Sequence, residues 1–237
     1  MDSVFHSAAS RGHQNHGWLR ANHSFSFANW HNPERMNFGA LRVLNDDYIA
    51  PGRGFSTHPH DNMEIISIPL SGDLEHQDSM GHSAVIREGD IQIISAGTGI
   101  YHSEKNKRLD QAVELLQLWI FPNQKDVSPR YDQISIRALK KENEFYTIVS
   151  PVQNDQGSWI HQDAWMYLGD FTKETTLTHP ISLPKNGIYA FVIKGEAKID
   201  RQQLNERDAM GIWNTEKFTV HAKKGSRILL IDVPLTF

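Results

Sequence analysis

The sequence predicts an all-β protein built from two tandem antiparallel β-barrels, and three observations support this fold class. Short segments rich in β-branched and aromatic residues recur along the chain, separated by Gly, Pro, Asn and Asp, as in β-sandwiches and barrels. Segments with a helical period are nearly absent, and only residues 137–145 are expected to form one or two helical turns. The third observation is a weak internal repeat. The segments predicted as strands are residues 41–44, 64–70, 84–86, 91–95, 115–121, 187–193, 197–200, 218–222 and 227–233.

The internal repeat divides the chain into two similar halves. The segment Arg87-Glu88-Gly89-Asp90, which precedes one predicted strand, resembles Asn205-Glu206-Arg207-Asp208, which precedes another. Two copies of one barrel explain such a repeat. We therefore expect two domains, residues 1–135 and residues 136–237.

The composition narrows the functional classes. The 237 residues have a net charge of -4, with 39% hydrophobic and 22% charged residues, which is ordinary for a globular protein and argues against a nucleic-acid partner. The absence of cysteine excludes disulfides, thiolate metal ligands and a cysteine nucleophile. The N-terminus shows no signal-peptide pattern, and no apolar stretch approaches the length of a membrane span. A cytoplasmic protein with no membrane partner is expected.

Two short motifs carry candidate metal ligands. His58 and His60 are two residues apart, and so are His102 and Glu104. Residues at this spacing in a strand project to the same face, whereas Pro59 points away and suits an edge strand. Two such pairs facing one barrel interior would supply three imidazoles and one carboxylate, which bind first-row divalent metals and leave positions open for substrate or dioxygen. Because the chain has 13 histidines, either pair alone carries little weight.

The residues around the two pairs resemble the two sequence motifs of the cupin superfamily, a family of small β-barrels. The first motif is Gly, five residues, His-x-His, three or four residues, Glu, six residues, Gly. The second is Gly, five residues, Pro-x-Gly-x-x-His, three residues, Asn. With one extra residue before the last glycine, the first motif is matched by Gly52, His58, His60, Glu64 and Gly72. With two extra residues and Gly97 in place of the proline, the second is matched by Gly89, Gly99, His102 and Asn106.

Longer segments resemble the pirin family of bicupins, namely residues 13–19, 24–27, 38–47, 54–64, 75–81 and 95–104. The resemblance implies two cupin barrels, of which the C-terminal one holds no metal. It also implies that the N-terminal barrel holds one metal ion through His58, His60, His102 and Glu104. Glu64 is then expected to support these ligands or to make a structural hydrogen bond, and it could serve as an alternative ligand in place of Glu104.

The resemblance further implies an enzyme of the quercetin 2,3-dioxygenase type (quercetinase, flavonol 2,4-dioxygenase), which opens a flavonol ring with O2 and releases carbon monoxide. Glu104 would act as a general base, and Gln117 and Trp119, two residues apart on one strand, either line the substrate pocket or fill the core. The family favours Fe(II), and Mn, Co, Ni, Cu and Zn stay open. The alternative is a non-enzymatic, metal- or redox-sensing regulatory pirin that binds a protein partner such as a transcription factor. A monomer is expected, since a bicupin buries its own sheet edges.

The remaining histidines and aromatic residues are interpreted as structural. His161 and His179 are expected to be surface or ordinarily hydrogen-bonded residues, and Phe25 and Phe27 to be core residues on one strand face. Four histidines fall in a turn-rich N-terminal segment without an acidic residue to complete a site; they are His13, His16, His23 and His31.

Overall fold

The fold is described from a computed structural model, which describes residues 1–236. Within these residues the chain forms 22 β-strands and a short 3-10 helix, Ala8–Ser10, and none of its helices is long and apolar enough to cross a membrane. The strands of the first half are β1 (Asp2–His6), β2 (Gly12–Asn15), β3 (Leu19–His23), β4 (Leu41–Ile49), β5 (Gly54–His60), β6 (Glu64–Ser71), β7 (Asp73–Asp78), β8 (Ser83–Arg87), β9 (Asp90–Ser95), β10 (Ile100–Asn106), β11 (Val113–Ile120) and β12 (Arg130–Ser135). Those of the second half are β13 (Phe145–Ser150), β14 (Ser158–Trp159), β15 (Trp165–Asp170), β16 (Thr175–Pro180), β17 (Asn186–Lys194), β18 (Ala197–Ile199), β19 (Gln202–Leu204), β20 (Ala209–Trp213), β21 (Lys217–Ala222) and β22 (Arg227–Pro234).

The strands form two barrels, each made of a seven-stranded and a four-stranded sheet. In the first barrel the strand orders are β12-β9-β6-β11-β4-β3-β2 and β5-β10-β7-β8. In the second they are β1-β20-β17-β22-β15-β13-β14 and β16-β21-β18-β19. The prediction of an all-β protein with two tandem barrels is therefore confirmed.

The two barrels repeat the same topology. The order β9-β6-β11-β4-β3 recurs as β20-β17-β22-β15-β13, and β5-β10-β7-β8 recurs as β16-β21-β18-β19. The outer strands of the two seven-stranded sheets differ in origin. β12, the last strand of the first half, pairs with β9 of its own barrel, whereas β1, from the start of the chain, pairs with β20 of the second barrel. The division between residues 135 and 136 stays a proposal. The pairing of β1 adds that residues 2–6 lie in the sheet of the second barrel, although the expected first domain includes them.

The repeated acidic turn has the same structure in both halves. The Asp90 carboxylate accepts a hydrogen bond from the backbone N–H of Arg87 at 3.1 Å, and Asp208 accepts the equivalent bond from Asn205 at 2.9 Å. The residue before each aspartate is left-handed: Gly89 has φ 84° and Arg207 has φ 68°. Glycine adopts this conformation readily and arginine at some cost, so the turn geometry persists even where the sequence repeat has decayed.

The largest hydrophobic core lies between the barrels, where the seven-stranded sheets face each other. Ile66 and Leu118 of the first sheet belong to one buried cluster with Met166, Phe191 and Leu229 of the second. The interior of the second barrel is also apolar, filled by residues such as Ile188, Val220 and Leu230. The first barrel differs, because two smaller apolar clusters flank a set of buried polar side chains. Buried polar side chains that could bind a ligand are thus concentrated in the first barrel.

The prediction of helical turns over residues 137–145 is wrong. Residues 137–139 form a turn in which the N–H of Leu139 donates to the carbonyl of Ile136 at 3.1 Å, and β13 begins at Phe145. Ile136 and Tyr146 are buried in the core between the barrels, with Leu139 packed against them. Tertiary packing of this crossover segment overrides its weak helical propensity.

Candidate metal centre

Three histidine side chains meet on the inner face of the four-stranded sheet of the first barrel. His58 of β5 and His102 of β10 stand directly opposite each other in the antiparallel ladder. The ring centroids of His58 and His102 are 4.4 Å apart, and that of His60 is 4.9 Å from each. Their candidate ligand atoms all lie within 4.8 Å of one another. The structure thus brings the three predicted imidazoles together, and their role as metal ligands stays a prediction.

The local sequence explains how β5 presents two imidazoles together. β5 is the edge strand of its sheet, so Pro59, which lacks an N–H, removes no ladder hydrogen bond on the open side. The register between β5 and β10 shifts between the pairs His102–His58 and Glu104–Phe55. The extra residue lies on β5, and such a bulge redirects the strand beside a functional site.

The environment keeps two of the imidazoles neutral. Burial, with repulsion from His102 and His58, lowers the pKa of His60 to about 4. Burial, with repulsion from His58 and His76, lowers the pKa of His102 to about 3. Neutral imidazole is the form that binds metals, so His60 and His102 are ready to coordinate at neutral pH.

The hydrogen bonds of the cluster fit a metal ion. His58 Nδ1 lies 2.8 Å from the carbonyl oxygen of Ser56; because a carbonyl only accepts, Nδ1 donates and Nε2 is left with its lone pair. His102 is buried, and neither of its ring nitrogens has a hydrogen-bond partner. Buried polar atoms are rarely left in this state. A divalent cation would satisfy His58 Nε2 and one ring nitrogen of His102, and the residues present therefore fit the implied metal.

Glu104 is buried beside the cluster and held by two hydrogen bonds. Its Oε1 accepts from Ser67 Oγ at 3.2 Å, and its Oε2 accepts from Gln117 Nε2 at 2.7 Å. The group of ligand atoms within 4.8 Å of one another comprises the three histidines without Glu104. The role of Glu104 as fourth ligand thus stays a prediction.

Glu64 lies on the opposite side of its sheet. Its carboxylate accepts a 2.8 Å hydrogen bond from Ser95 Oγ, and Arg130 and the His161 backbone are its other polar neighbours. Burial raises the pKa of Glu64 to about 7. Along β6 it shares a face with Ile66 of the core between the barrels, whereas Ser67 faces Glu104. Of the expected roles, this placement fits a structural hydrogen bond, and it separates Glu64 from the histidine cluster.

A cavity of about 450 Å³ opens beside the three histidines, within the range of small-molecule sites. His58, His60, Glu104, Gln117 and Trp119 all line it, so the structure places Gln117 and Trp119 on the pocket wall. Much of the remaining wall is aromatic. Its ring pairs are Trp18–Phe55 (5.5 Å), Phe27–Trp119 (5.3 Å) and His60–Trp119 (4.9 Å).

The sequence analysis missed a polar part of this wall on β3 and β4. His23, Asn45 and Asp47 are buried and line the cavity. His23 Nδ1 lies 2.7 Å from Asn45 Oδ1, while His23 Nε2 and Asp47 Oδ1 have no partner. Burial, reinforced by Asp46 and Glu104, raises the pKa of Asp47 well above its usual value. The i, i+2 spacing of Asn45 and Asp47 was a signal that could have identified them.

Three structural interpretations of the sequence also need correction. The N-terminal histidine segment contains a β-hairpin of β2 and β3, and His16 and His23 line the cavity, whereas His31 lies in a loop outside the hairpin. Phe25 is buried in the core, but Phe27 is half-buried at the cavity, where it packs on Trp119. His179 is buried in the second barrel, and its Nε2 has no hydrogen-bond partner. His179 is therefore neither a surface residue nor ordinarily hydrogen-bonded.

Comparison with known proteins agrees with the fold. A family model described as Pirin matches residues 4–120, and one described as Quercetinase C-terminal cupin domain matches residues 147–233. A quercetin 2,3-dioxygenase of Escherichia coli (strain K12) is 40% identical over 227 residues, 96% of each chain. A pirin-like protein of Caulobacter vibrioides is 35% identical over 222 residues, 93% of this chain and 95% of that one. The structure of bacterial pirin YhhW in complex with nickel(II), from Escherichia coli, superposes with a TM-score of 0.92 at 39% identity, covering 98% of this chain and 99% of that chain.

Fold and site together define a bicupin with a candidate metal centre of three histidines in its N-terminal barrel. This chain belongs to the pirin family.

Proposed function

We propose that this chain is a metal-dependent flavonol dioxygenase of the quercetin 2,3-dioxygenase type. The reaction opens the central ring of a flavonol with O2: both oxygen atoms enter the product, and one ring carbon leaves as carbon monoxide. The observation that carries the proposal is that His58 and His60 of the three-histidine cluster form part of the wall of a cavity lined by aromatic rings. Such a wall suits a flat polyphenol, because aromatic faces stack on it.

A divalent transition metal, when bound, supplies access to dioxygen chemistry and acidifies a hydroxyl bound to it. Fe(II) is our first candidate, and Mn, Co, Ni, Cu and Zn have donor preferences compatible with imidazole and carboxylate. His58, His60 and His102 would hold the ion. Glu104 would complete the set or accept the proton of the substrate hydroxyl. Ser67 and Gln117 fix the orientation of that carboxylate.

The cavity also bears on the alternative, a regulatory pirin that binds a protein partner such as a transcription factor. That role favours a closed metal site beneath a charged surface. Here His58 and His60 are only partly buried, and the adjoining wall includes Trp18, Phe55 and Trp119. An accessible aromatic cavity supports a small-molecule substrate.

Oxygen uptake with quercetin tests the proposal. Protein reconstituted separately with each candidate metal is assayed in an oxygen electrode, with mass spectrometry of the ring-opened product and trapping of carbon monoxide. We expect uptake with at least one metal and its loss in His102→Ala. The matched control is His179→Ala, a buried histidine of the second barrel. Absence of uptake with every metal and a range of flavonols would refute the proposed function.

A further inference from the structure

The wall of the cavity on β3 and β4 contains polar groups that the folded protein leaves unsatisfied. His23 and Asp47 are 2% and 5% exposed, and His23 Nε2 and Asp47 Oδ1 have no hydrogen-bond partner. Burying polar atoms without partners destabilises a protein. Two such residues on one cavity wall indicate that a ligand provides what the protein does not.

The chemistry of His23 is defined by its neighbour. Because the Asn45 side-chain oxygen only accepts, His23 Nδ1 donates to it, and Nε2 is therefore an acceptor in the neutral ring. Burial lowers the pKa of His23, which keeps the ring neutral. Nε2 thus requires a donor such as a hydroxyl group.

Asp47 lies near His23 on the neighbouring strand. Ala21 pairs with Asp47 and His23 pairs with Asn45 in the β3–β4 ladder, so His23 and Asp47 are diagonal neighbours, and both line the cavity. Diagonal neighbours have Cα atoms about 7–8 Å apart, and side chains at that separation can bind two hydroxyls of one aromatic molecule. A carboxyl group can accept from a hydroxyl and, when protonated, donate to one.

The two residues stand across the cavity from the histidine cluster. His23 and Asp47 belong to the seven-stranded sheet, whereas His58, His60 and His102 belong to the four-stranded sheet. Phe27 packs against His23 at 5.3 Å and against Trp119 at 5.3 Å, so aromatic surface connects the two sides. A flat molecule that reaches the metal can therefore contact His23 and Asp47 as well.

We propose that His23 and Asp47 form a hydroxyl-binding subsite. This subsite binds the phenolic hydroxyls of a polyphenol substrate on the ring that lies away from the metal. The proposal rests on the proposed function, because it specifies the substrate class of the same cavity. It makes the protein selective for polyhydroxylated flavonols over those that carry only the metal-binding hydroxyl. A site built to bind a hydroxyl discriminates strongly against an analogue that lacks it.

The test is a binding measurement under nitrogen, with nickel(II)-loaded protein and tryptophan fluorescence as the readout. The probes are quercetin and 3-hydroxyflavone, which keeps the 3-hydroxy-4-keto unit but lacks the other hydroxyls. The wild type is expected to bind quercetin at least about tenfold more tightly. His23→Phe and Asp47→Leu should each remove most of this preference while leaving the affinity for 3-hydroxyflavone within about threefold of the wild-type value, as the lost contacts are to hydroxyls. Asp47→Asn, which keeps hydrogen-bonding capacity, should retain part of the preference.

His179→Phe is the matched control. His179 is also a buried histidine whose Nε2 has no hydrogen-bond partner, but it lies outside the cavity. The variant should bind both probes as the wild type does. Equal binding of the two probes by the wild type, or an undiminished preference in His23→Phe and Asp47→Leu, would overturn the subsite. Oxygen uptake with quercetin is measured in parallel. If the preference for quercetin depends on His23 and Asp47 but no oxygen is consumed, the subsite is supported and the dioxygenase is contradicted. If oxygen is consumed but the preference does not depend on these residues, the dioxygenase is supported and the subsite is contradicted.

Discussion

Gln117 Nε2 donates a 2.7 Å hydrogen bond to Glu104 Oε2. This bond joins the two sheets of the first barrel, since Gln117 lies on β11 and Glu104 on β10. It fixes the carboxylate beside the histidine cluster. Residues that orient metal ligands in this way contribute substantially to metal affinity.

Gln117→Leu should therefore weaken metal binding without unfolding the protein. We expect nickel(II) affinity to fall by roughly 10–100-fold, the usual effect of removing such a support, as measured by isothermal titration calorimetry. Gln14→Leu is the control, because Gln14 lines the same cavity but its recorded side-chain hydrogen bond is to His16. Equal affinities in the two variants would show that Glu104 needs no support from Gln117.

His102→Ala should abolish stable metal binding. His102 is the most buried member of the cluster, and neither of its ring nitrogens has a protein partner. We expect elemental analysis after dialysis to find about one metal ion per wild-type chain and almost none in the variant, since the variant loses the most buried of the three imidazoles that would hold the ion. If the variant retains the wild-type metal content, the metal is not bound at the three-histidine cluster.

Glu64→Gln should leave the metal content unchanged and stabilise the protein at alkaline pH. The pKa of Glu64 is raised from 4.5 to about 7 by burial, so the folded state holds the proton more tightly than the unfolded state does. The free energy of unfolding of the wild type therefore falls as pH rises from 4.5 to 7. Removing the charge should recover at most roughly 3 kcal/mol at pH 8. Urea denaturation of the metal-free proteins at pH 5 and pH 8 measures this, and loss of metal from the variant would restore Glu64 as a ligand candidate.

His179→Phe should reduce the acid sensitivity of the fold. Burial lowers the pKa of His179 from 6.5 to about 4, so only the unfolded state takes up this proton between those values. The wild type should lose up to roughly 3 kcal/mol of stability from this residue as pH falls from 6.5 to 4. Phenylalanine cannot take up a proton in this pH range, so the variant's free energy of unfolding should depend less steeply on pH. Parallel curves for the two proteins in urea denaturation would contradict the assignment.

The three histidines could be predicted because strand periodicity is a local property. Residues two apart on a strand share a face, and this rule was enough to bring His58 and His60 together. Sheet packing decides which face of β6 carries Glu64, so the sequence motif alone left the role of Glu64 open.

Other features depend on contacts between distant parts of the chain. Asn45-Asp46-Asp47 has the composition of a turn, and only its pairing with β3 and β11 shows that it continues a buried strand. His179 is enclosed by Phe145, Tyr167 and Phe218, which come from three different strands. No local signal in residues 2–6 indicates their pairing with β20, some 200 residues later in the chain.

We propose that one metal ion, held by the three-histidine cluster, is required for flavonol oxygenation. The most direct measurement titrates the metal-free protein with Fe(II), and in parallel with nickel(II), and records the rate of oxygen uptake with quercetin against bound metal. We predict, for the active metal, a linear rise that saturates at one ion per chain and is absent in His102→Ala. A rate that is independent of bound metal, or unchanged in His102→Ala, would contradict the account.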